Sequence, residues 1–468
     1  MKMIKLTQDV ANAVLERLSL LKNNTNKVRL VFGLKNAGAG ITCMARIVDG
    51  MRMEEIGFLT NGVPSDYVDG EVYASCIVKA KAFCDYLSAF NSFNADVVFG
   101  VSDKLLSLAV EGQANVSLEC VSEADAEPLF VDDSKTTMAV FTCSGNVLND
   151  ALKMGGFCAV TSDDPSMIAD RVVLSFDASA LYVYSTDSEH ARVTSSTAQI
   201  KASFNDALRA ACFLKNKVDS LNGEAKAQLL EKVSKTPKQQ LVDVAKAEGF
   251  DGSTFDIAVP TSSIQIVQKL IAGAEKIEVA ISQRYLRIRC GNVLASFLLA
   301  DICPTIYKTV LPNMEKVKWE GTVVVDKEQF VNALNIIQLS ADSDNYPFSF
   351  SVDTKQGKVV MKDNSGNSTL CNIVSSSCGD SIDSLVKYMK ASNFASVLSK
   401  YPNGNIVICI NGKKNSFMQV RNGELDGKNV TSKTYLIEIN VDKNREAMAK
   451  KEAKEEEKAI AEADGNNV

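Results

Sequence analysis

Apolar and polar positions repeat along the chain in two blocks. The first is a short signature of an apolar residue, any residue, Asn or Asp, Ala, and another apolar residue. It occurs as Val10-Ala11-Asn12-Ala13-Val14, Leu148-Asn149-Asp150-Ala151-Leu152 and Phe330-Val331-Asn332-Ala333-Leu334. The i, i+3, i+4 spacing puts the apolar residues and the Ala on one helical face, and the small Ala allows close packing on a sheet. The second block is a helix followed by a hairpin. Its helices are predicted over 78–90, 260–272 and 388–401. Val97–Val101 and Leu105–Leu106 then alternate about a polar turn, as do Ile277–Ile281 and Tyr285–Leu286. A looser third copy runs over Ile406–Ile410 and Phe417–Val420.

The chain therefore reads as three copies of a two-part module, with six helices backed by antiparallel strands. The first signature recurs after 138 residues and then after 182, so the middle copy carries an insertion. Residues from about 202 to 253, rich in Lys, Ala, Glu and Leu, supply it as a small helical insert. Thr236-Pro237 reads as a helix start there, and Gly249 as a helix end. Residues 443–468 are Ala, Lys and Glu with almost no apolar face, the pattern of a solvated helix or a disordered tail.

Composition narrows the chemistry. At 468 residues and 46% hydrophobic, the chain is long enough for about three globular domains. Its 12 cysteines are scattered singly without a CxxC, the usage of reduced thiols in a cytoplasmic protein and not of a disulfide scaffold or zinc site. Met1-Lys2-Met3-Ile4-Lys5-Leu6 runs straight into Asp9 and Glu16, so no secretory leader is expected, and no apolar run approaches membrane-spanning length. Phosphate-loop and dinucleotide glycine patterns are missing. The single histidine, His190, follows an apolar strand in a polar stretch that reads as a surface turn; a hydrolase with a Cys or Ser nucleophile would have to route its chemistry through it. No catalytic residue, metal or cofactor is expected.

Four stretches carry a resemblance to a known family. They are Leu181-Tyr182-Val183-Tyr184-Ser185-Thr186-Asp187, Phe255-Asp256-Ile257-Ala258-Val259-Pro260, Leu298 to Pro312, and Tyr435-Leu436-Ile437. In order, and in phase with the repeats, they resemble the beta subunit of bacterial DNA polymerase III, the beta sliding clamp. The sequence departs from that pattern in places. Ser188-Glu189 stands where the family has Gly-His, and Glu438-Ile439-Asn440-Val441 replaces its Met-Pro-Met-Arg ending. The resemblance is that of a divergent member.

The resemblance implies an α+β fold of three clamp domains, each two repeats of helix plus antiparallel strands, forming a ring with inner helices and outer sheets. The domains would be 1–133, 134–317 with the insert, and 318–442. It implies a cytoplasmic, non-catalytic processivity subunit that closes as a homodimer around duplex DNA and binds a replicative polymerase and a clamp loader. The alternative is a clamp-fold scaffold that binds replication proteins without encircling DNA. Candidates for the DNA-facing wall are Lys22, Lys79, Lys81, Lys153, Lys269, Lys387 and Lys390. Thr186, Pro312, Leu436, Ile437 and Ile439 match an apolar cleft for partner peptides, and Val116 and Leu339 match the dimer interface. A net charge of −6 argues against an ordinary DNA-binding domain. The six predicted helical segments, taken with their flanks, carry +4, which leaves −10 on the remainder.

Overall fold

In the structure, a computed structural model, the described residues are 2–19, 27–32, 42–49, 52–59, 73–102, 104–120, 136–159, 170–187, 192–237, 240–291, 293–300, 306–339, 347–363, 365–413 and 416–439. The predicted positions of Lys22, His190 and the 443–468 tail lie outside them. The helices are α1 Gln8–Ser19, α2 Ala80–Asn91, α3 Gly145–Gly156, α4 Asp206–Ser220, α5 Gly223–Lys235, α6 Leu241–Ala247, α7 Thr261–Ile271, the short α8 Ile306–Thr309 and α9 Leu311–Glu315, α10 Lys327–Leu339 and α11 Ala391–Leu398. All three signature segments lie in helices, and Val14, Leu148, Ala151, Leu152, Phe330, Ala333 and Leu334 are buried. Each signature helix meets the helix of its own hairpin block. Asn91 Nδ2 donates to Asn12 Oδ1 at 2.8 Å between α2 and α1. The Gly145 amide donates to the Ala274 carbonyl at 2.9 Å where α3 meets the end of α7. Phe330 and Phe394 pack with ring centroids 5.3 Å apart between α10 and α11.

The described residues divide into two compact units. One holds residues 1–150, 174–181 and 199–303; the other holds 151–173, 182–198 and 304–468. Unit one contains a four-stranded sheet in the order Lys2–Leu6, Val97–Val101, Leu105–Val110, Ala114–Glu119. It also contains a nine-stranded sheet, Ala202–Phe204, Thr137–Cys143, Ile277–Ser282, Tyr285–Cys290, Val293–Leu298, Arg52–Leu59, Thr42–Asp49, Lys27–Phe32, Ala74–Lys79. Antiparallel pairing of Leu294 with Gly57 makes that sheet continuous from the first copy of the module into the second. Edge-to-face contacts of Phe99 with Phe83 and Phe32 centre the first copy's core.

Unit two carries the run Arg192–Ala198, Ser432–Ile437, Phe417–Arg421, Asn405–Asn411, Trp319–Asp326, Ser368–Cys378, Lys358–Lys362, Phe348–Asp353, Val386–Met389. One core of Phe330, Phe348, Phe350, Phe394 and their aliphatic neighbours lies beneath it. At Gly155, on α3, an added Cβ would stand 2.6 Å from Val183 Cβ and 2.7 Å from Ser196 Oγ. Only glycine lets this helix lie so close to the strands Leu181–Thr186 and Arg192–Ala198.

The insert is helical as expected and has its own small core of Ala210, Leu214, Val218, Leu229 and Ala245. Its internal punctuation differs from the expectation. Thr236 closes α5, its hydroxyl donating to the Lys232 carbonyl at 2.6 Å, instead of opening the next helix. The Thr-Pro pair serves as a stop because proline disfavours helical backbone at the residue before it. Gly249 follows α6 at φ +96°, a backbone that favours glycine.

Candidate nucleic-acid and partner interfaces

Lys79, Lys81, Lys153 and Lys269 are exposed on or beside α2, α3 and α7, and Lys390 is half-buried at the start of α11. Lys387 is not available to DNA. It lies in the strand Val386–Met389, where alternation turns it inward with Met389 while Val386 and Tyr388 face solvent. Its side chain is 2% exposed, and its ammonium sits 3.0 Å from the Glu438 carboxylate. The helix predicted to begin at Tyr388 begins at Ala391, so this strand lies where the sequence reading placed helix. Within the observed bounds of the six module helices, Arg17, Lys81, Lys153, Lys269 and Lys327 stand against Asp9, Glu16, Asp85, Asp150 and Glu328. These helices are therefore neutral, and the +4 of the longer predicted segments belongs to their flanks.

The partner-cleft candidates all lie in unit two, but not on one surface. In the strand Ser432–Ile437, Lys433, Tyr435 and Ile437 alternate with Ser432, Thr434 and Leu436. Thr434 and Leu436 face the helices. The Thr434 hydroxyl is 3.2 Å from the Tyr401 hydroxyl, and Leu436, 1% exposed, belongs to the aromatic core. Leu436 is therefore core and not cleft lining, which corrects the sequence reading. Ile437 is on the opposite side and 37% exposed. Lys433 on that side reaches Glu315 of α9 at 2.9 Å, tying down the short helix that carries half-buried Pro312.

Thr186, by alternation on the side of Tyr182 and Tyr184, is 4% exposed, and its hydroxyl donates to the carbonyl of Arg192 at 3.1 Å. The Tyr182 and Tyr184 rings stack in parallel. With Ser195, Glu315, Thr431 and Lys433 they line a shallow polar recess. Glu315, on the helix that carries Pro312, is thus reached from the side of the strand that Ile437 shares, with Thr186 buried and Ile439 half-buried one step past Glu438.

Several polar groups that the sequence reading passed over organise this region. Arg192 donates through Nε to Asp187 at 2.9 Å and through Nη1 to Ser396 on α11 at 2.7 Å, joining the end of one strand to the start of the next and to that helix. The Thr194 hydroxyl donates to the Met154 carbonyl at 2.8 Å and lies 3.1 Å from the Thr434 hydroxyl. Tyr401 extends the chain to the Val420 carbonyl at 2.8 Å. Burial pushes the Cys158 thiol beside this network up to about 12. The one signal for these groups in the sequence is a polar residue at an inward position of an alternating strand, as at Thr194 and Thr434.

The dimer candidates are solvent-accessible in this chain. Leu339, the last residue of α10, is 87% exposed, and Ile336 one turn earlier is 56% exposed. Val116 lies half-buried in Ala114–Glu119, the last strand of the four-stranded sheet, which pairs only with Leu105–Val110 among the described residues.

No family model matches the chain, and no curated protein matches it by sequence. Solved structures do. The chain is similar to the DNA polymerase III subunit beta from Pseudomonas aeruginosa, with a TM-score of 0.65 at 13% identity over 94% of this chain and 100% of the other. The DNA polymerase III beta subunit from Thermotoga maritima matches with a TM-score of 0.65 at 11% identity, covering 94% and 99%. The Helicobacter pylori beta clamp bound to a DNA ligase peptide matches with a TM-score of 0.63 at 12% identity, covering 94% and 100%. The fold is that of bacterial sliding clamps, α+β with paired helices on antiparallel sheets.

Proposed function

We propose that this chain is a DNA sliding clamp, a non-catalytic subunit that gives a replicative polymerase processivity by encircling duplex DNA. The observation that carries the reading is clamp architecture along nearly the whole chain, covering 94% of it and 100% of the Pseudomonas subunit. On this reading the chain has three clamp domains, 1–133, 134–317 and 318–442, and two chains close head to tail. It works in the cytoplasm; no helix among the described residues is long and apolar enough to cross a membrane. Lys79, Lys81, Lys153, Lys269 and Lys390 contribute to the DNA-facing wall, with Lys22 as a further candidate outside the described residues. Polymerase and loader dock by short peptides beside Pro312, Ile437 and Ile439, with Thr186 supporting the surface from within. The peptide-bound Helicobacter clamp supports this mode of partner binding.

One observation favours a second reading, a clamp-fold scaffold that does not hold DNA: the six module helices are neutral within their bounds. Binding through phosphate contacts needs clustered cations, whereas a closed ring holds DNA by topology. The experiment therefore tests topology. Labelled protein is loaded onto nicked circular DNA and passed through gel filtration at moderate salt, before and after one restriction cut. A clamp stays with the circle and leaves the line. Equal retention on both would place the holding force in contacts, and no retention on the circle would favour the scaffold.

A further inference from the structure

Where the last strand of unit two leaves the sheet, a lysine and a glutamate are buried together. The side chains of Lys387 and Glu438 are 2% and 4% exposed, and Nζ lies 3.0 Å from the carboxylate. Neither group stops at the other. The same Glu438 oxygen accepts the Ser416 amide at 3.1 Å, and Lys387 also donates to the Lys413 carbonyl. The backbone follows the same path: the Glu438 amide donates to the Ser416 carbonyl at 2.8 Å, and the Ile439 amide to the Tyr388 carbonyl at 2.9 Å. Asn411, 2% exposed, donates to the Ser416 hydroxyl at 2.7 Å. One ion pair thus joins the strand Val386–Met389, the backbone at Lys413 and Ser416, and the segment after Ile437.

A buried ion pair is a weak source of net stability, because desolvating the two charges offsets most of their attraction. Apolar residues of similar size would fill this space about as favourably. Apolar burial is non-directional, however, and would let the departing segment shift along the sheet. Charge-assisted hydrogen bonds hold it in one direction and register. The sequence departs from the clamp pattern here too, with Glu438 where the resemblance leads one to expect Met.

We propose that Lys387 and Glu438 are a positioning pair for the partner surface: they fix the path of residues 437–439, so that Ile437 and Ile439 meet a docking peptide in one conformation. The link to a partner rests on the clamp reading; the positioning of the segment does not. The test uses full-length chains carrying Lys387→Met, Glu438→Met, both together, or Glu438→Gln. Amide exchange is read at Glu438 and Ile439, and affinity is read with a synthetic peptide of the C-terminal residues of the polymerase from the same source.

The double variant is expected to keep its unfolding midpoint within a few degrees. Protection of the Ile439 amide falls roughly 30-fold while that of Tyr435 is unchanged. Peptide affinity falls about tenfold, since the apolar anchors must be ordered on binding. Glu438→Gln, which keeps an acceptor for the Ser416 amide, is expected to retain more protection than Glu438→Met. Unchanged Ile439 protection in the double variant overturns the proposal, as does unchanged affinity in a chain whose protection has fallen. If the double variant does not fold, the comparison of Glu438→Gln with Glu438→Met decides, and equal protection in those two overturns it. If the unmutated chain does not bind the peptide, the partner reading falls while the exchange arm still decides the positioning.

Discussion

Three thiols are held in environments that penalise their charged form. Burial pushes Cys143 and Cys371 up to about 11 and Cys158 up to about 12, from an ordinary value of 9.0. Burial also raises Tyr401 and Tyr435. All five groups bind their proton more tightly in the folded chain than in the unfolded one. Their contribution to stability is therefore whole below about pH 8.5 and is lost as pH rises toward the folded values. For Cys158 alone the loss by pH 10 is on the order of 1 kcal/mol. Urea midpoints measured with reductant present should hold steady from pH 7 to 8 and decline above 9; a flat profile to pH 10 would contradict the burial of these groups. The scattered cysteines already suggested buried thiols in the sequence. The exact role of a residue was harder to read. Leu436 and Ile437 are both apolar, and only the phase of the strand sends one into the core and the other to the surface. Lys387 looked like a solvent-facing helix lysine until the strand Val386–Met389 turned it inward onto Glu438. Its partner lies 51 residues away, a separation that no local pattern reveals.

Elements were more legible than residues, because amphipathic periodicity is local. The signature helices, the hairpins and the helical insert all follow from apolar spacing that each segment carries within itself. What spacing could not supply was the start of α11, since V-K-Y-M fits either a strand or the lead-in to a helix, and the meaning of Thr236-Pro237, which suits a stop as well as a start. The insert is the element with the clearest independent test. Its flanks lie close together, with the Phe204 and Phe255 rings 6.4 Å apart. Arg209 seals the junction, donating to the Gly252 and Thr254 carbonyls at 3.1 and 2.5 Å and lying 4.5 Å from the Phe204 ring centroid. The Asn205 amide holds the entry to the Met138 carbonyl at 2.8 Å. Because the helices of the insert carry their own core, replacing residues 206–253 with a Gly-Ser-Gly linker should leave a soluble chain. Far-ultraviolet circular dichroism should then show less helix with strand content retained, and the unfolding midpoint should move by no more than a few degrees. Loss of the cooperative transition would mean that the insert is integral to the nine-stranded sheet.

At the scale of the molecule, the clamp reading requires two different surfaces on one chain that fit each other on a second copy, because a heterologous contact must close into a ring to stay finite. The chain has a candidate of each kind. The strand Ala114–Glu119 has a pairing partner on one side only among the described residues. An edge left in that state is a template for another chain unless something covers it. Leu339 is 87% exposed and Ile336 56% exposed at the end of α10, more apolar surface than a helix end usually leaves in water. Among the described residues neither surface is covered, and the clamp reading gives both the same partner, a second copy. Sedimentation at micromolar concentration should then give twice the 50.6 kDa of one chain. Leu339→Ala removes an anchor that contributes nothing to the core of its own chain, so the unfolding midpoint of the monomer should be unchanged. Each of the ring's two equivalent interfaces should weaken by about 2 kcal/mol, roughly 30-fold per interface, the size expected for a buried apolar hot spot. Val116→Asp should weaken the same association from the other surface, and the two effects should not add, because both act on one closed interface. A chain that sediments as a monomer before any substitution would leave the edge strand and Leu339 without a partner, and retention on circular DNA would then have to be explained by something other than a homodimeric ring.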